Sequence, residues 1–191
     1  MEHINSISEA TTGTASADRL KEVPFVEVVL QKPVERFLRM VILSQRPVEE
    51  LVLVSPIIGP LFGASVSLER VLDKINEDRT RTYVITNEPA PEYPSHQQAV
   101  SMLAKADFTE VRFNPSLHAK LYICRFREGG FALLGSGNLT ETSIRRRIEI
   151  GMIVFARGQG VGVFNELLQW GTVRLRSLRE SKLVKPMRLR R

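Results

Sequence analysis

Short apolar runs alternate with amphipathic segments from residue 25 onwards, and this alternation most constrains the fold. Runs of strand length and strand composition occur at residues 25–30, 51–54, 83–86, 108–113 and 131–134. Apolar residues with the i, i+3, i+4, i+7 spacing of a helix face lie between several of them, at residues 34–41, 68–75 and 99–106. This order is typical of βαβ units. It predicts an α/β fold with a mixed, mostly parallel β-sheet flanked by helices on both faces.

The 191 residues, 43% of them apolar, can bury one full core. Residues 1–22 are rich in Ser, Thr, Ala and Glu without a sustained period, which predicts a flexible lead-in. We expect one domain over residues 23–171, followed by a basic C-terminal tail over residues 172–191. The polar N-terminus does not resemble a signal peptide, and the lone Cys124 cannot form an internal disulfide. These two features predict a reducing, cytoplasmic location. Because the longest apolar stretch, residues 51–62, is shorter than a membrane span and is interrupted by Pro and Gly, we expect no membrane span.

The net charge of +6 is unevenly distributed. Residues 172–191 hold eight Lys or Arg and one Glu, a net +7, which leaves −1 for residues 1–171. A second basic cluster is the run Arg145, Arg146 and Arg147. Both clusters have two interpretations, solvated surface charge or contact with a nucleic-acid backbone.

The polar residues that carry chemistry are concentrated between residues 117 and 154. In an extended strand, alternate side chains share a face, so His118 and Lys120 would lie side by side. The apolar run that follows ends in Gly135-Ser136-Gly137-Asn138, where small residues let backbone amides approach an anion. Glu149 alternates with Ile148 and Ile150, so it should face away from them, and it could face the same side as His118.

The pattern His118-x-Lys120, then Gly135-Ser136-x-Asn138, then Glu149, resembles the HKD signature of the phospholipase D superfamily. Ser55-Pro56, after a buried strand, resembles a further position of that family. The resemblance implies a phospholipase D-like fold with one half-unit per chain. It also implies catalytic roles for His118, Lys120, Asn138 and Glu149. One departure is Arg125, which stands where the family pattern has an Asp five residues after the Lys.

These residues suit phosphodiester hydrolysis without a metal or another cofactor. A neutral imidazole at His118 can attack phosphorus and form a covalent phosphohistidine. Lys120, Ser136, Asn138 and backbone amides can stabilise the charge that develops on the phosphate oxygens. Glu149 can hold the tautomer of His118 through a hydrogen bond. No cluster of carboxylates or of His and Cys suggests a metal site.

Only one copy of the motif is present, and neither of the other histidines, His3 and His96, is well placed to act as the general acid. A homodimer in which His118 of each subunit meets at a two-fold axis would supply it. The expected activity is therefore a dimeric endonuclease that acts on nucleic acid, with DNA favoured over RNA. Two alternatives stay open. The first is a weak or inactive nucleic-acid-binding or assembly subunit, whose tail would dock on a larger ATPase or helicase, and the second is a phospholipid phosphodiesterase.

Overall fold

A computed structural model describes residues 24–62 and 66–188 of the chain. The expected lead-in, residues 1–22, lies outside the described residues. The strands are β1 Val26–Val29, β2 Glu50–Val54, β3 Arg81–Thr86, β4 Thr109–Phe113, β5 Leu121–Arg125, β6 Gly130–Gly135, β7 Gly151–Phe155 and β8 Lys182–Lys185. The helices are α1 Pro33–Ile42, α2 Leu68–Asp78, α3 Pro94–Lys105, α4 Glu141–Arg145, α5 Gly160–Gln169 and α6 Leu175–Ser177, with a π-helical turn, Trp170–Arg174, before α6.

The strands form one sheet in the order β1-β7-β6-β5-β2-β3-β4-β8. Only the β2–β3 and β3–β4 pairs are parallel, and the other described pairs are antiparallel. The prediction of a mostly parallel sheet is therefore wrong. Parallel neighbours need a long crossover, which α2 and α3 provide, whereas short connections join antiparallel strands. The turn at residues 126–129 joins the antiparallel neighbours β5 and β6 as a hairpin, whereas β4, which a short loop connects to β5, pairs with β3 and β8 instead.

Helices cover both faces of the sheet. On one face, α1, α2 and α3 pack on β2, β4, β5 and β6, with Phe37 at 5.7 Å from the Tyr122 ring and 5.3 Å from the Phe131 ring. On the other face, Phe164 of α5 and Leu175 of α6 cover Val52, Ile123 and Ala132. The helices thus account for the near-continuous apolar character of the central strands, which are buried on both sides.

The described part of the basic tail, residues 172–188, continues as helical turns and the edge strand β8. Arg176 donates two hydrogen bonds to the Glu110 carboxylate, at 2.7 and 2.8 Å. The Lys185 ammonium donates to the carbonyls of Ala106, Asp107 and Thr109, at the end of α3 and the start of β4. Two of the basic side chains are thereby used in structural contacts.

Among residues 24–62 and 66–188, no helix combines the length and the apolar character that crossing a bilayer requires.

Candidate active site

The predicted site residues lie at one end of the sheet, where β2 and β6 end and β5 and β7 begin. The register pairs Val54 with Leu121, Leu121 with Leu134, and Gly135 with Gly151. Lys120 directly precedes Leu121, Ser136 directly follows Gly135, and Glu149 lies two residues before Gly151. The backbone amide of Gly135 donates to the carbonyl of Lys120 at 3.4 Å. The antiparallel ladder therefore brings together residues that are about thirty positions apart in the chain.

His118 and Lys120 precede β5 in an irregular loop that starts after β4. The His118 side chain is exposed, and it makes no hydrogen bond within the described chain. The Lys120 ammonium donates to the carbonyl of His118 at 2.9 Å, which keeps its charge next to the imidazole. The exposure leaves the imidazole open to a substrate.

Asn114, which sequence reasoning missed, holds this loop in place. Its side chain is 3% exposed, accepts from the amide of Ser116 at 3.0 Å and donates to the hydroxyl of Ser181 at 2.9 Å. The backbone amide of Asn114 donates to the carbonyl of Thr86 at 2.8 Å, which fixes the loop to the end of β3. The available signal was an Asn directly before Pro115 at the end of a strand, a pair that favours the start of a turn.

The turn that contains Ser136, Gly137 and Asn138 is held from below by two buried hydroxyls. Tyr122 is fully buried, and its hydroxyl donates to the carbonyl of Gly137 at 2.8 Å. Burial, together with the nearby charge of Glu149, raises the pKa of Tyr122 well above its ordinary value, so it stays a neutral donor. Ser55 accepts from the amide of Leu139 at 3.0 Å and lies 3.5 Å from the Asn138 side-chain oxygen. Ser55 was noted in the sequence beside Pro56, but its contact with this turn depends on the fold.

Glu149 is 7% exposed and packs against Gly137. A Cβ atom at Gly137 would lie 3.6 Å from the Glu149 carboxyl carbon and 3.0 Å from a Val34 methyl group, so the glycine makes room for both. The carboxylate accepts a short hydrogen bond from the Ser136 hydroxyl. Within the described residues it makes no hydrogen bond to His118. The expected orientation of Glu149, away from Ile148, is observed, since Ile148 is 99% exposed.

Two backbone amides of the turn are unengaged in the described chain. The amide of Ser136 donates to the carbonyl of Ile150 at 3.0 Å, and those of Leu139 and Thr140 also have acceptors. The amides of Gly137 and Asn138 have none among the residues that the structure describes. Backbone amides without an acceptor are suited to binding an anion.

The three arginines after α4 differ in their contacts. Arg145 donates to the carbonyl of Phe62 at 2.5 Å and forms an ion pair with Glu141 at 3.1 Å. Arg146 and Arg147 are exposed, and their side chains have no partner in the described ranges. Arg146 and Arg147 are therefore the two arginines of this run whose side chains can contact a ligand.

Arg125 lies at the opposite end of β5 from the site. Leu121 and Arg125 are separated by about 14 Å, given the rise of an extended strand. The guanidinium of Arg125 contacts Glu50 at 2.5 Å and Glu49 at 2.8 Å. The departure from the family pattern therefore concerns an ion-pair cluster that is remote from His118.

His96 is a satisfied core histidine. It is 3% exposed, its Nδ1 accepts from the amide of Ile58 at 3.1 Å, and its Nε2 donates to the carbonyl of Asn87 at 3.1 Å. The described residues contain no group of three or more His, Cys, Asp or Glu side chains that could hold a metal ion.

Comparison with known proteins gives matches in structure alone. No protein-family model and no curated protein sequence matches this chain. Nuc from Salmonella typhimurium, a phospholipase D family member, superimposes with a TM-score of 0.61 at 11% identity, over 84% of this chain and 99% of Nuc. NucT from Helicobacter pylori gives 0.56 at 13% identity, over 83% of this chain and 98% of NucT. Phosphatidylserine synthase from Haemophilus influenzae Rd KW20 gives 0.56 at 15% identity, over 85% of this chain and 41% of the synthase. The chain therefore has a phospholipase D-like fold, as its motif indicated.

Proposed function

We propose that the protein is a phosphodiesterase that hydrolyses nucleic acid, preferably DNA, through a covalent phosphohistidine at a site shared by two subunits. One observation carries the proposal. The exposed His118 and the half-buried Lys120 lie at the same end of a phospholipase D-like sheet as the Ser136–Asn138 turn and Glu149. A structural neighbour named as a phospholipase D family member supports phosphodiester chemistry of this kind.

The chemistry follows from the position of each group. His118 attacks phosphorus, so that a P–N bond forms while the P–O bond to the leaving group breaks. Lys120, the Asn138 side chain and the free amides of Gly137 and Asn138 stabilise the charge on the phosphate oxygens. The Ser136 hydroxyl is engaged with Glu149 in the structure, so its proposed phosphate contact would require it to turn away from that carboxylate. The proposed hold of Glu149 on the His118 tautomer requires a hydrogen bond that the described chain does not contain, so it would form on substrate binding.

The leaving oxygen needs a proton, and among residues 24–62 and 66–188 no second histidine is available for this, because His96 is engaged by backbone groups. In the proposed dimer, His118 of the second subunit protonates the leaving group. It then takes a proton from the water that breaks the P–N bond and restores the first His118. This arrangement uses one motif per chain.

An exposed apolar strip beside the site supports the second copy as the partner. It consists of Val28, Leu30, Ile148, Ile150 and Met152, each at least 40% exposed, and we call it the β1–β7 strip. Val28 and Met152 are paired in register, and Ile148 and Ile150 flank Glu149. An exposed cluster of large apolar side chains marks an interaction surface. A dimer formed there would bring the two sites near each other.

Nucleic acid is preferred as the substrate because Arg146 and Arg147, both exposed and beside the site, suit a polyanion.

The test is cleavage of plasmid DNA and of bis(4-nitrophenyl) phosphate in the presence of EDTA. We expect wild-type turnover to persist in EDTA and to fall by at least about 100-fold in His118→Ala. Arg127→Ala, at an exposed position in the β5–β6 turn, is the control and should keep wild-type turnover. Loss of wild-type turnover in EDTA, or its retention by His118→Ala, would contradict the mechanism. Salt-sensitive DNA binding without turnover would support a binding subunit instead.

A further inference from the structure

A cavity of about 340 Å³ opens next to the Ser136–Asn138 turn. It lies between the segment after β2 and the beginnings of α3 and α4. The amide of Gly59 donates to the carbonyl of Leu139 at 2.7 Å, and Ile58 forms a bridge with Leu139, so one wall is fixed directly to the turn. Thr140 lines the cavity and follows Asn138 by two residues, which places it within about 7 Å along the chain.

The mouth of the cavity carries two exposed aromatic side chains. Phe62 is 62% exposed and Tyr93 is 54% exposed, and both line the cavity. Ile58, Pro60 and Pro94 contribute apolar walls. Aromatic side chains next to an apolar slot suit a planar ring, because a ring can stack on their faces.

The charge of the lining favours a base over a phosphate. Glu92 and Glu141 line the cavity, and none of the described lining residues is Lys or Arg. Arg145, which is outside the lining, pairs with Glu141 at 3.1 Å, and Glu92 is the lining carboxylate that no described cation pairs with. Its charge disfavours a phosphate, whereas a nucleobase is neutral and has exocyclic amino groups that a carboxylate can accept from. The positive groups, Lys120, Arg146 and Arg147, lie outside the cavity lining. The two neighbouring sites therefore have complementary character, one for an anion and one for a flat neutral ring.

The floor of the cavity is rigid. His96 lines it, and both ring nitrogens are engaged by the backbone of Ile58 and Asn87. The imidazole is thus unavailable as a proton donor to a substrate, and it holds the wall segment after β2 against the start of α3. A floor held in this way gives a preformed slot for a ligand.

We propose that this cavity binds one unpaired nucleobase adjacent to the scissile phosphate, and that the protein therefore acts on single-stranded or locally unpaired nucleic acid. The inference rests on the proposed function, because the anion site next to the cavity defines the phosphate. A base in a duplex is stacked and paired, so it must leave the helix before it can enter such a pocket. DNA and RNA share this base chemistry.

The test is equilibrium binding of fluorescein-labelled 12-mers by the full chain carrying His118→Ala, in EDTA. The probes are single-stranded DNA, single-stranded RNA of the same sequence, the DNA duplex, and single-stranded DNA with abasic sites. We expect single strands to bind more tightly than the duplex, and abasic DNA to bind at least about fivefold more weakly than intact DNA. Phe62→Ala and Tyr93→Ala should each weaken binding of intact single strands by a similar factor. Leu43→Ala, an equally exposed apolar position directly after α1, is the matched control and should not.

Tyr93→Trp provides a direct readout of stacking. It should retain affinity, and its added fluorescence should be quenched by intact but not by abasic DNA, with the signal of Trp170 in the Tyr93 protein as reference. Equal affinity for intact and abasic DNA, equal affinity for duplex, no measurable binding, or no quenching would each overturn the inference. EDTA-resistant cleavage that requires His118 would still support the proposed function in each of those cases, so the two failures are distinguishable.

Discussion

Arg125 is the residue at which this chain departs from the HKD pattern, and its contacts explain why the departure is tolerated. Its guanidinium is partly buried between Glu49 and Glu50, and Arg81 also contacts Glu50 at 3.0 Å. Two carboxylates and two guanidiniums thus neutralise each other at the end of the sheet opposite His118. The residue supports the fold and is too remote to contact a substrate at His118.

Replacing Arg125 by the Asp of the family pattern should destabilise the fold. We expect Arg125→Ala to lower the free energy of unfolding by about 1–3 kcal/mol, because the Glu50 carboxylate loses its closest cation. Arg125→Asp should lower it further, since three carboxylates would then meet. The measurement is urea unfolding, with Arg127→Ala as the exposed control. Greater stability of the Asp variant than of the Ala variant would show that the cluster is misassigned.

Among the elements, α6 is docked on β4 through one carboxylate, next to the backbone ladder that pairs β8 with β4. Glu110 is 8% exposed and accepts hydrogen bonds from both Arg112 and Arg176. Burial alone would raise the pKa of Glu110, but the hydrogen bonds and charges of Arg176 and Arg112 outweigh it and lower that pKa. The ionised carboxylate is therefore more favourable in the folded protein than in the unfolded chain.

The lowered pKa of Glu110 sets the direction of a pH effect. Its contribution to stability is fully present above the ordinary Glu pKa, about 4.3, and is lost as the pH falls through the lowered folded pKa. Glu110→Gln should lower the free energy of unfolding at pH 7 by roughly 2–4 kcal/mol, because it leaves two guanidiniums unpaired. The loss should shrink as the pH falls below 4. Unfolding curves at pH 7 and pH 3 measure it, and Glu166→Gln, an exposed acid 3.8 Å from Arg174, is the control. A pH-independent loss would argue against the ion-pair explanation.

At the scale of the whole molecule, the two edges of the sheet differ. The β1–β7 strip lies at one edge beside the site, whereas the other edge, β8, carries the exposed Leu183 and Val184 between two lysines. Lysines at an edge strand discourage pairing with another chain. The apolar edge is therefore the better surface for a second copy.

Ile148, which is 99% exposed, is the residue through which to test that surface. Ile148→Asp should convert the proposed dimer to a monomer and abolish turnover while leaving the monomer folded, because its side chain makes no core contact. Val184→Asp at the opposite edge is the matched control and should leave assembly unchanged. Analytical ultracentrifugation gives the mass and circular dichroism gives the fold. A wild-type monomer with full activity would contradict the shared site.

Subunit mixing tests the shared site directly. Wild-type chains mixed with excess His118→Ala chains should form heterodimers with almost no activity. The shared site of a heterodimer would hold a single His118, which cannot act as both the nucleophile and the acid. The measured quantity is turnover per wild-type chain as the mutant fraction increases. If heterodimers kept half of the wild-type activity, each subunit would have to carry a complete site.

The amino-acid sequence by itself determined most of the elements and the candidate site residues. Periodicity located most of the strands and long helices, because the burial of one face leaves its period in the order of residues. The motif singled out His118, Lys120, Asn138 and Glu149, and the fold it implied is observed. Ser95 is of a residue type that favours the N-cap position, yet it lies inside α3, which begins at Pro94. Boundaries of this kind depend on a single residue's backbone angles.

Only the tertiary structure decided which groups meet. The sheet is mainly antiparallel because strand direction depends on the path of each connection, which periodicity does not encode. Glu149 binds Ser136, Arg125 pairs with Glu49 and Glu50, and His96 is engaged by backbone groups, all across strand or loop neighbours that are distant in the chain. A hydrogen bond or an ion pair needs its two atoms within a few ångströms. That proximity is a property of the packed sheet, so these partners could not be derived from the order of residues alone.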